Sequence, residues 1–490
     1  MRHFDIKKMQ RRDFLKLMGR ITSVPLLGAL TEMAYGAGPF DDYRALVCVF
    51  LFGGNDAHNM IVPLDARFAS YTANRGPLAL PQSSLQANPI SDAVQGTFGL
   101  HPRMTRLGGL YNSGNLAVIS NVGVLLRPTT KLDYQSRVQL PPQLFSHSDM
   151  QDHWHTAHPQ APVTDGWGGR LANLIQSANS GLLSVSISTA SSSIFLKGGT
   201  AVAHQIGSYQ SSAKSTIVQR IRAWRDWDTT GANPQAVYQN GITMARANAL
   251  EDQFGDIATR SVEINDLILN ALYSGPDGSG SYTQKNTINT VFPAANPLAA
   301  QLRSVAMMIA ARQALGVKRQ IFFVSVGGSF DTHSDQFDAS SSSLKPGAGD
   351  APILFGKHAD LLGQLDAGLK AFYDATVELG VQNNVTTFTE SDFGRTLTSN
   401  GKGSDHGWGS HHFVMGGAVK GGKIYGNFHN MQVGTGNPED AGQGRLIPAI
   451  SVDQYGATLS KWMGANASDL PTVFPNLQNF GSAVDLGFMA

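Results

Sequence analysis

Apolar residues run unbroken from Ala45 to Phe52 (ALVCVFLF) and stop at Gly53-Gly54, the pattern of a strand buried on both faces of a parallel sheet. Similar runs occur at 321–326 (IFFVSV) and within NNVTTFT after Gln382. Between them the spacing turns helical. Met104, Leu107, Leu110 and Tyr111 predict a helix that Gly114 ends before a strand opens at Leu116–Ile119. Asn296-Pro297 reads as a helix start, with Leu302, Val305 and Ile309 on one face and a stop by Gly316. Leu361, Leu365, Leu369 and Phe372 mark another helix, closed by Gly380. This alternation predicts an α/β fold with a mostly parallel central sheet and helices on both faces, where ligands sit beyond the carboxyl ends of strands.

The regular pattern lapses at about 200–292, a Gln-, Asn-, Ser- and Ala-rich stretch with a helical run from Pro234 to Leu272 and the loop SGPDGSGSY. It is expected to be a partly helical insertion or cap in a single domain covering 37–490. Residues 1–36 read as an export address. Arg11-Arg12 precede Phe14-Leu15, a modest apolar run follows, and Ala34 and Gly36 offer a cleavage site, as in a twin-arginine signal peptide. The translocase of that pathway is then a partner during export, and the destination is the periplasm, the cell surface or the medium. The apolar run is too short to span a bilayer, so no transmembrane segment is expected in the mature chain.

Without residues 1–36 the chain keeps 30 basic and 33 acidic residues, a balance that gives no electrostatic basis for binding nucleic acid. The single cysteine, Cys48, lies inside an apolar strand and has no partner for an intrachain disulfide.

Each predicted strand end is followed by polar residues: GGNDAHN at 53–59, FSHSDMQDHWH at 145–155, GGSFDTHSDQ at 327–336, and the stretch 389–412 with SDFG and SDHGWGSHH. Asp and His in such loops are the ligands of divalent ions of the Zn, Mn, Mg or Ca kind, one or two of them. Asp56 follows Gly-Gly-Asn. Asp331 and His333 are two apart and converge only if the backbone bends, which Gly327-Gly328 favour. Asp405 and His406, adjacent and flanked by glycine, suit a loop wrapped around an ion. His411 and His412 are ambiguous and at least one of them is expected to be structural, with His411 kept as a candidate ligand. Ser146 and Ser148 stand at a helix start, with Asp149 and Gln151 three residues beyond each, so each opens either a capping box or a nucleophile site.

The order of these segments resembles the alkaline phosphatase superfamily. More narrowly, GGND, QDHW, FDTHSDQ, FGRT, SDHGWG and VKGGKIYG resemble the bacterial family catalogued as domain of unknown function 1501, over about residues 44–478. The resemblance implies an alkaline phosphatase-like fold with Asp56 as the first metal ligand, Asp331 and His333 as middle ligands and His406 as the histidine before a glycine-rich strand. Asp392 falls where the superfamily has the aspartate of a Ser-Asp-His-Gly turn, but Phe393 replaces that histidine, which puts a second metal in question. The nucleophile would be Ser146 or Ser148. A sulfatase-type Cys or Ser followed by Pro or Ala and then Arg is missing. The function implied is metal-dependent hydrolysis of a phosphate, sulfate or phosphonate ester on a small molecule or polysaccharide, and the alternative is a non-catalytic binding or scaffold protein that keeps the fold.

Overall fold

The computed structural model describes residues 40–490 apart from 213–214, 219–239, 245–247, 327–329, 339, 341–346, 348 and 483. The segment expected to be a signal peptide, Gly327-Gly328 and part of the expected helical run from Pro234 lie outside the described residues.

A nine-stranded sheet forms the centre. Its strands in chain order are β1 (Arg44–Leu51), β2 (Leu116–Gly123), β3 (Ser186–Ser188), β4 (His204–Gln205), β5 (Arg319–Val326), β6 (Val385–Ser391), β7 (Ser410–Met415), β8 (Ile424–Tyr425) and β9 (Ile450–Ser451). They lie in the order β8-β2-β7-β6-β1-β5-β3-β4, with β9 also against β2. Only the pairings of β7 with β6 and β2 are antiparallel, so the sheet is mostly parallel as the apolar runs predict.

Eight helices matter to the layers: α1 (Arg67–Arg75), α2 (Thr105–Asn112), α3 (His147–Thr156), α4 (Trp167–Ile175), α5 (Ala249–Leu272), α6 (Pro297–Ala310), α7 (Lys357–Glu378) and α8 (Val452–Met463). The pleat of β1 divides them between two faces. Ala45, Val47, Val49 and Leu51 pack with α2, α5, α6 and α7, whereas Leu46, Cys48 and Phe50 pack with α3, α4 and α8. Each buried Val, Leu or Phe among them contributes roughly 1.5–3 kcal/mol, which is why the alternation sets the layering. α6 starts where the sequence predicts, with the Asn296 side chain accepting from the Ala299 N–H and Pro297 in the first turn.

Within 200–292, the described residues hold α5, a short hairpin of Tyr273–Ser274 with Thr283–Gln284, and β4 at the sheet edge. Among the described residues no helix is long and apolar enough to cross a membrane.

Register decides where the polar loops emerge. Leu51 pairs with both Val326 and Ser391, so β1, β5 and β6 end together. The Ser391 hydroxyl donates to the Leu51 carbonyl at 2.6 Å and accepts from the Asn55 N–H at 2.9 Å, which fastens the loop after β1 to the end of β6. The segments 53–56, 330–333 and 392–395 therefore leave the sheet side by side.

Candidate metal centre

Gly53 and Gly54 are the reason these loops can touch. Both have positive φ, +108° and +80°. A Cβ on Gly53 would lie 2.3 Å from the Asp331 amide nitrogen, and one on Gly54 would lie 2.3 Å from the Phe393 ring, so neither place admits a side chain.

Arg395, whose guanidinium is fully buried, knits the loops together. It donates to the Gly54 carbonyl (2.8 Å), the Gly53 carbonyl, the Phe330 carbonyl (3.2 Å), the Ser404 carbonyl (3.0 Å) and Oδ1 of Asp331 (2.6 Å). Asp331 is thereby turned outward with Oδ2 unengaged by Arg395. Burial pushes the Asp331 carboxyl upward, but the Arg395 hydrogen bond and charge, with His333 and His147 nearby, bring its pKa below the ordinary value.

Two imidazoles with buried, unpartnered Nε2 atoms face this carboxylate. His147, the first residue of α3, has Nδ1 at 2.7 Å from Oδ2 of Asp392, which also accepts from Nε2 of Gln151 (2.8 Å) while Oδ1 takes the Gly53 N–H (3.1 Å). With its proton held at Nδ1, His147 presents the lone pair of Nε2, 3.6 Å from Oδ2 of Asp331. His406 is arranged alike. Its Nδ1 donates to the Phe145 carbonyl at 2.8 Å, and its Nε2 lies 3.9 Å from Oδ1 of Asp331. Burial holds the His406 pKa below the ordinary value, so that lone pair is free at neutral pH.

Both Nε2 atoms are buried and have no hydrogen-bond partner. Ligand atoms of His147, Asp331 and His406 all lie within 4.8 Å of one another. Orphaned nitrogens aimed at one carboxylate, each ring oriented by an acceptor at its other nitrogen, form a donor set that could hold a metal ion. Three protein ligands is also the number in catalytic zinc sites, which keep a position for substrate.

The remaining predicted residues fall around or away from this group. His333 stands at the mouth, Nε2 3.2 Å from Oδ1 of Asp331 and Nδ1 3.8 Å from Asp405, and Asp405 also accepts from Asn400 at 2.8 Å. Asp392 lies behind His147 as its orienting partner. Phe393 fills the space beside the group, its ring centroid 4.8 Å from that of His147 and 4.6 Å from that of His406.

Asp56 is placed elsewhere than the resemblance implies. It is fully buried, ion-paired with Arg75 of α1 and hydrogen-bonded by Gln336, and it belongs to no cluster of metal-ligand type among the described residues. A guanidinium already neutralises it. His411 is also separate, packed in the interior with His58 and His429. His412 is buried against Trp154 and Tyr455.

Ser146 occupies the N-cap position of α3 but does not cap it with its side chain; its Oγ donates to Oδ2 of Asp149 at 2.6 Å. Ser148 lies inside the helix, 3.4 Å from the same oxygen and 3.3 Å from Ser146 Oγ. Neither expected capping box forms, because Asp149 binds the hydroxyls and Gln151 is drawn to Asp392.

A family model described as protein of unknown function (DUF1501) matches residues 43–440. The chain belongs to the DUF1501 family. No curated protein matches it. Solved structures similar to this DUF1501 member include a sulfatase from Pseudoalteromonas sp. (11% identity, 96% of this chain and 75% of that one, TM-score 0.36). Another is the soluble domain of lipooligosaccharide phosphoethanolamine transferase A from Neisseria meningitidis (10%, 93% and 96%, 0.36). A third is a phosphonate monoester hydrolase from Silicibacter pomeroyi (8%, 86% and 74%, 0.33). TM-scores this low carry no chemistry from those proteins to this one.

His147, Gln151 and Arg395 escaped the sequence reading. His147 stands inside a quoted motif, but its partner Asp392 is 245 residues away, and nothing local marks it.

Proposed function

We propose that this DUF1501 protein is an exported hydrolase of a phosphate, sulfate or phosphonate ester, working with one divalent ion at His147, Asp331 and His406. The observation that supports this is the pair of buried, unpartnered Nε2 atoms facing one carboxylate. The ion, when bound, would polarise the ester oxygen and offset its charge.

The chain's own groups supply the rest. Ser146 sits at the amino end of α3 beside His147, where free backbone N–H groups and the helix dipole favour an anionic ester group. Its Oγ attacks phosphorus or sulfur while its proton passes to Asp149. The Oγ–P or Oγ–S bond forms, the ester bond breaks, and the departing alkoxide takes the proton from Asp149. Water then attacks the seryl ester, giving a proton to Asp149, and Ser146 regains it as the phosphate, sulfate or phosphonate anion leaves. Phe393 and Gly54 close the inner wall, so the ester approaches from the side of His333 and Asp405.

A second reading, a periplasmic or cell-surface scaffold, is favoured by Phe393, which occupies the place of a superfamily ligand. Aryl phosphate, sulfate and phosphonate hydrolysis with added Zn, Mn, Mg or Ca separates the two. Ser146→Ala should retain metal and lose turnover on the order of 10³-fold or more, and His147→Ala should lose the ion held with Asp331 and His406. No hydrolysis with any ion establishes the scaffold reading, and an active Ser146→Ala variant transfers the attack to Ser148.

A further inference from the structure

Three further histidines meet in the protein interior, 2%, 1% and 3% exposed: His58 from the loop after β1, His411 from β7 and His429 beyond β8. Ligand atoms of the three lie within 4.8 Å of one another. Four of their ring nitrogens, Nδ1 of His58, Nε2 of His411 and both of His429, are buried without a hydrogen-bond partner. Native interiors rarely leave polar atoms so, and four in one place call for an occupant.

Packing accounts for the rings but not for the nitrogens. His411 stacks on Phe428 (centroids 4.4 Å apart, 21° between planes) and on His429 (5.3 Å, 18°), and His58 meets His429 edge-on at 5.1 Å. Phenylalanine would stack as well there without burying the four unpartnered nitrogens. Three imidazoles have in common only what their nitrogens can hold.

We propose that His58, His411 and His429 form a buried binding site for a divalent ion of the Zn(II) class, separate from the His147–Asp331–His406 centre. Imidazole is a ligand for such ions and a poor one for Mg or Ca, and no carboxylate belongs to the group. His58 is already oriented: its Nε2 faces the Arg395 carbonyl at 3.1 Å, which places the proton there and the lone pair on Nδ1. Burial keeps all three rings below the ordinary histidine pKa, His58 at about 4, so they are neutral and need lose no charge to bind. Nitrogens at about 2.0–2.1 Å from a tetrahedral ion are about 3.3 Å apart, which is inside the 4.8 Å limit that the three ligand atoms already meet.

His411 sets the one local cost. Its Nδ1 faces the Asn121 N–H at 3.1 Å and Ser120 Oγ at 3.3 Å. The Asn121 contact puts the ring proton on Nε2 when no ion is bound. Binding moves it to Nδ1, where Ser120 Oγ accepts it, and the Asn121 amide loses its acceptor. One unpaired amide weighs little against the affinity of structural zinc sites. Since the site is enclosed, the ion enters as the chain folds.

The test counts zinc in the full chain purified without chelators from zinc-supplied cells. His147→Ala disables the outer centre and should retain one equivalent, with cobalt substitution giving the intense visible bands of a four-coordinate ion. His429→Phe keeps the stack and removes both nitrogens; it should hold one equivalent fewer than wild type, and the double variant none. A His147→Ala protein with no zinc overturns the inner site, as does His429→Phe with an unchanged count. Should His429→Phe fail to fold, the His147→Ala count decides alone. A wild type with one ion retained in His147→Ala supports the inner site while removing the outer one.

Discussion

Asp392 holds His147 by a 2.7 Å contact to Nδ1 across 245 residues of sequence, and so decides which nitrogen of that ring faces Asp331. The carboxylate touches neither Asp331 nor the space between the imidazoles. Its role is orientation.

Asp392→Asn keeps the shape and leaves an oxygen for the Gly53 N–H, but removes the charge that fixes the His147 proton. Metal affinity at the outer centre should fall about 10–100-fold with the fold retained. Competition against a chromogenic chelator, read in a variant whose inner histidines are also replaced, measures it. An unchanged affinity would remove Asp392 from the centre.

Asp56 and Arg75 form an ion pair with both side chains fully buried. Burial pushes the Asp56 carboxyl up, yet the Arg75 guanidinium, with His358, His58 and the Gln336 amide, outweighs it and holds the pKa at about 2 against the usual 3.8. A depressed folded-state pKa gives stability that is present above about pH 4 and lost as the pH falls through about 2, roughly 2 kcal/mol in all. Asp56→Asn leaves Arg75 charged and unpaired, so it should lose about 3–5 kcal/mol at pH 7 and show a flatter acid limb in urea unfolding. Equal acid limbs would refute the pairing as the source.

Glu390 behaves in the opposite sense. It lies fully buried in β6, and burial raises its pKa from 4.5 to about 8. A raised folded-state pKa gives stability that is full below about pH 4.5 and is lost as the pH rises through 8, by up to about 1.4 kcal/mol per unit. Glu390→Gln should therefore match or trail wild type at pH 4 and exceed it at pH 8. Parallel urea midpoints across that range would mean that the carboxyl ionises in the folded state.

Export is checked by mass. The mature protein should begin near Ala37, because Ala34 and Gly36 supply the small residues that a signal peptidase accepts. Replacing Arg11 and Arg12 by Lys should leave the precursor in the cytoplasm. Periplasmic protein that still carries residues 1–36 would make the segment an anchor.

The local pattern determined the strands and helices of this protein. An unbroken apolar run such as 45–52 can be buried only as a central strand, and the periods through Leu302–Ile309 and Leu361–Phe372 each leave one face to cover the sheet. The glycines at 53–54 and the acidic and histidine residues at strand ends were legible for the same reason, since turn geometry is written in adjacent residues. Which of those residues meet was not. Asp56 and Asp331 look alike in sequence, each following a glycine-bearing turn, but the register of β1, β5 and β6 and the approach of α1 give Asp56 to Arg75 and leave Asp331 facing the Nε2 atoms of His147 and His406. His58, His411 and His429 come from three separate segments joined only by the fold. Periodicity is a property of neighbours along the chain, whereas a ligand set is fixed by strand register and by which side of each loop is turned inward, and those are settled only when the whole sheet assembles.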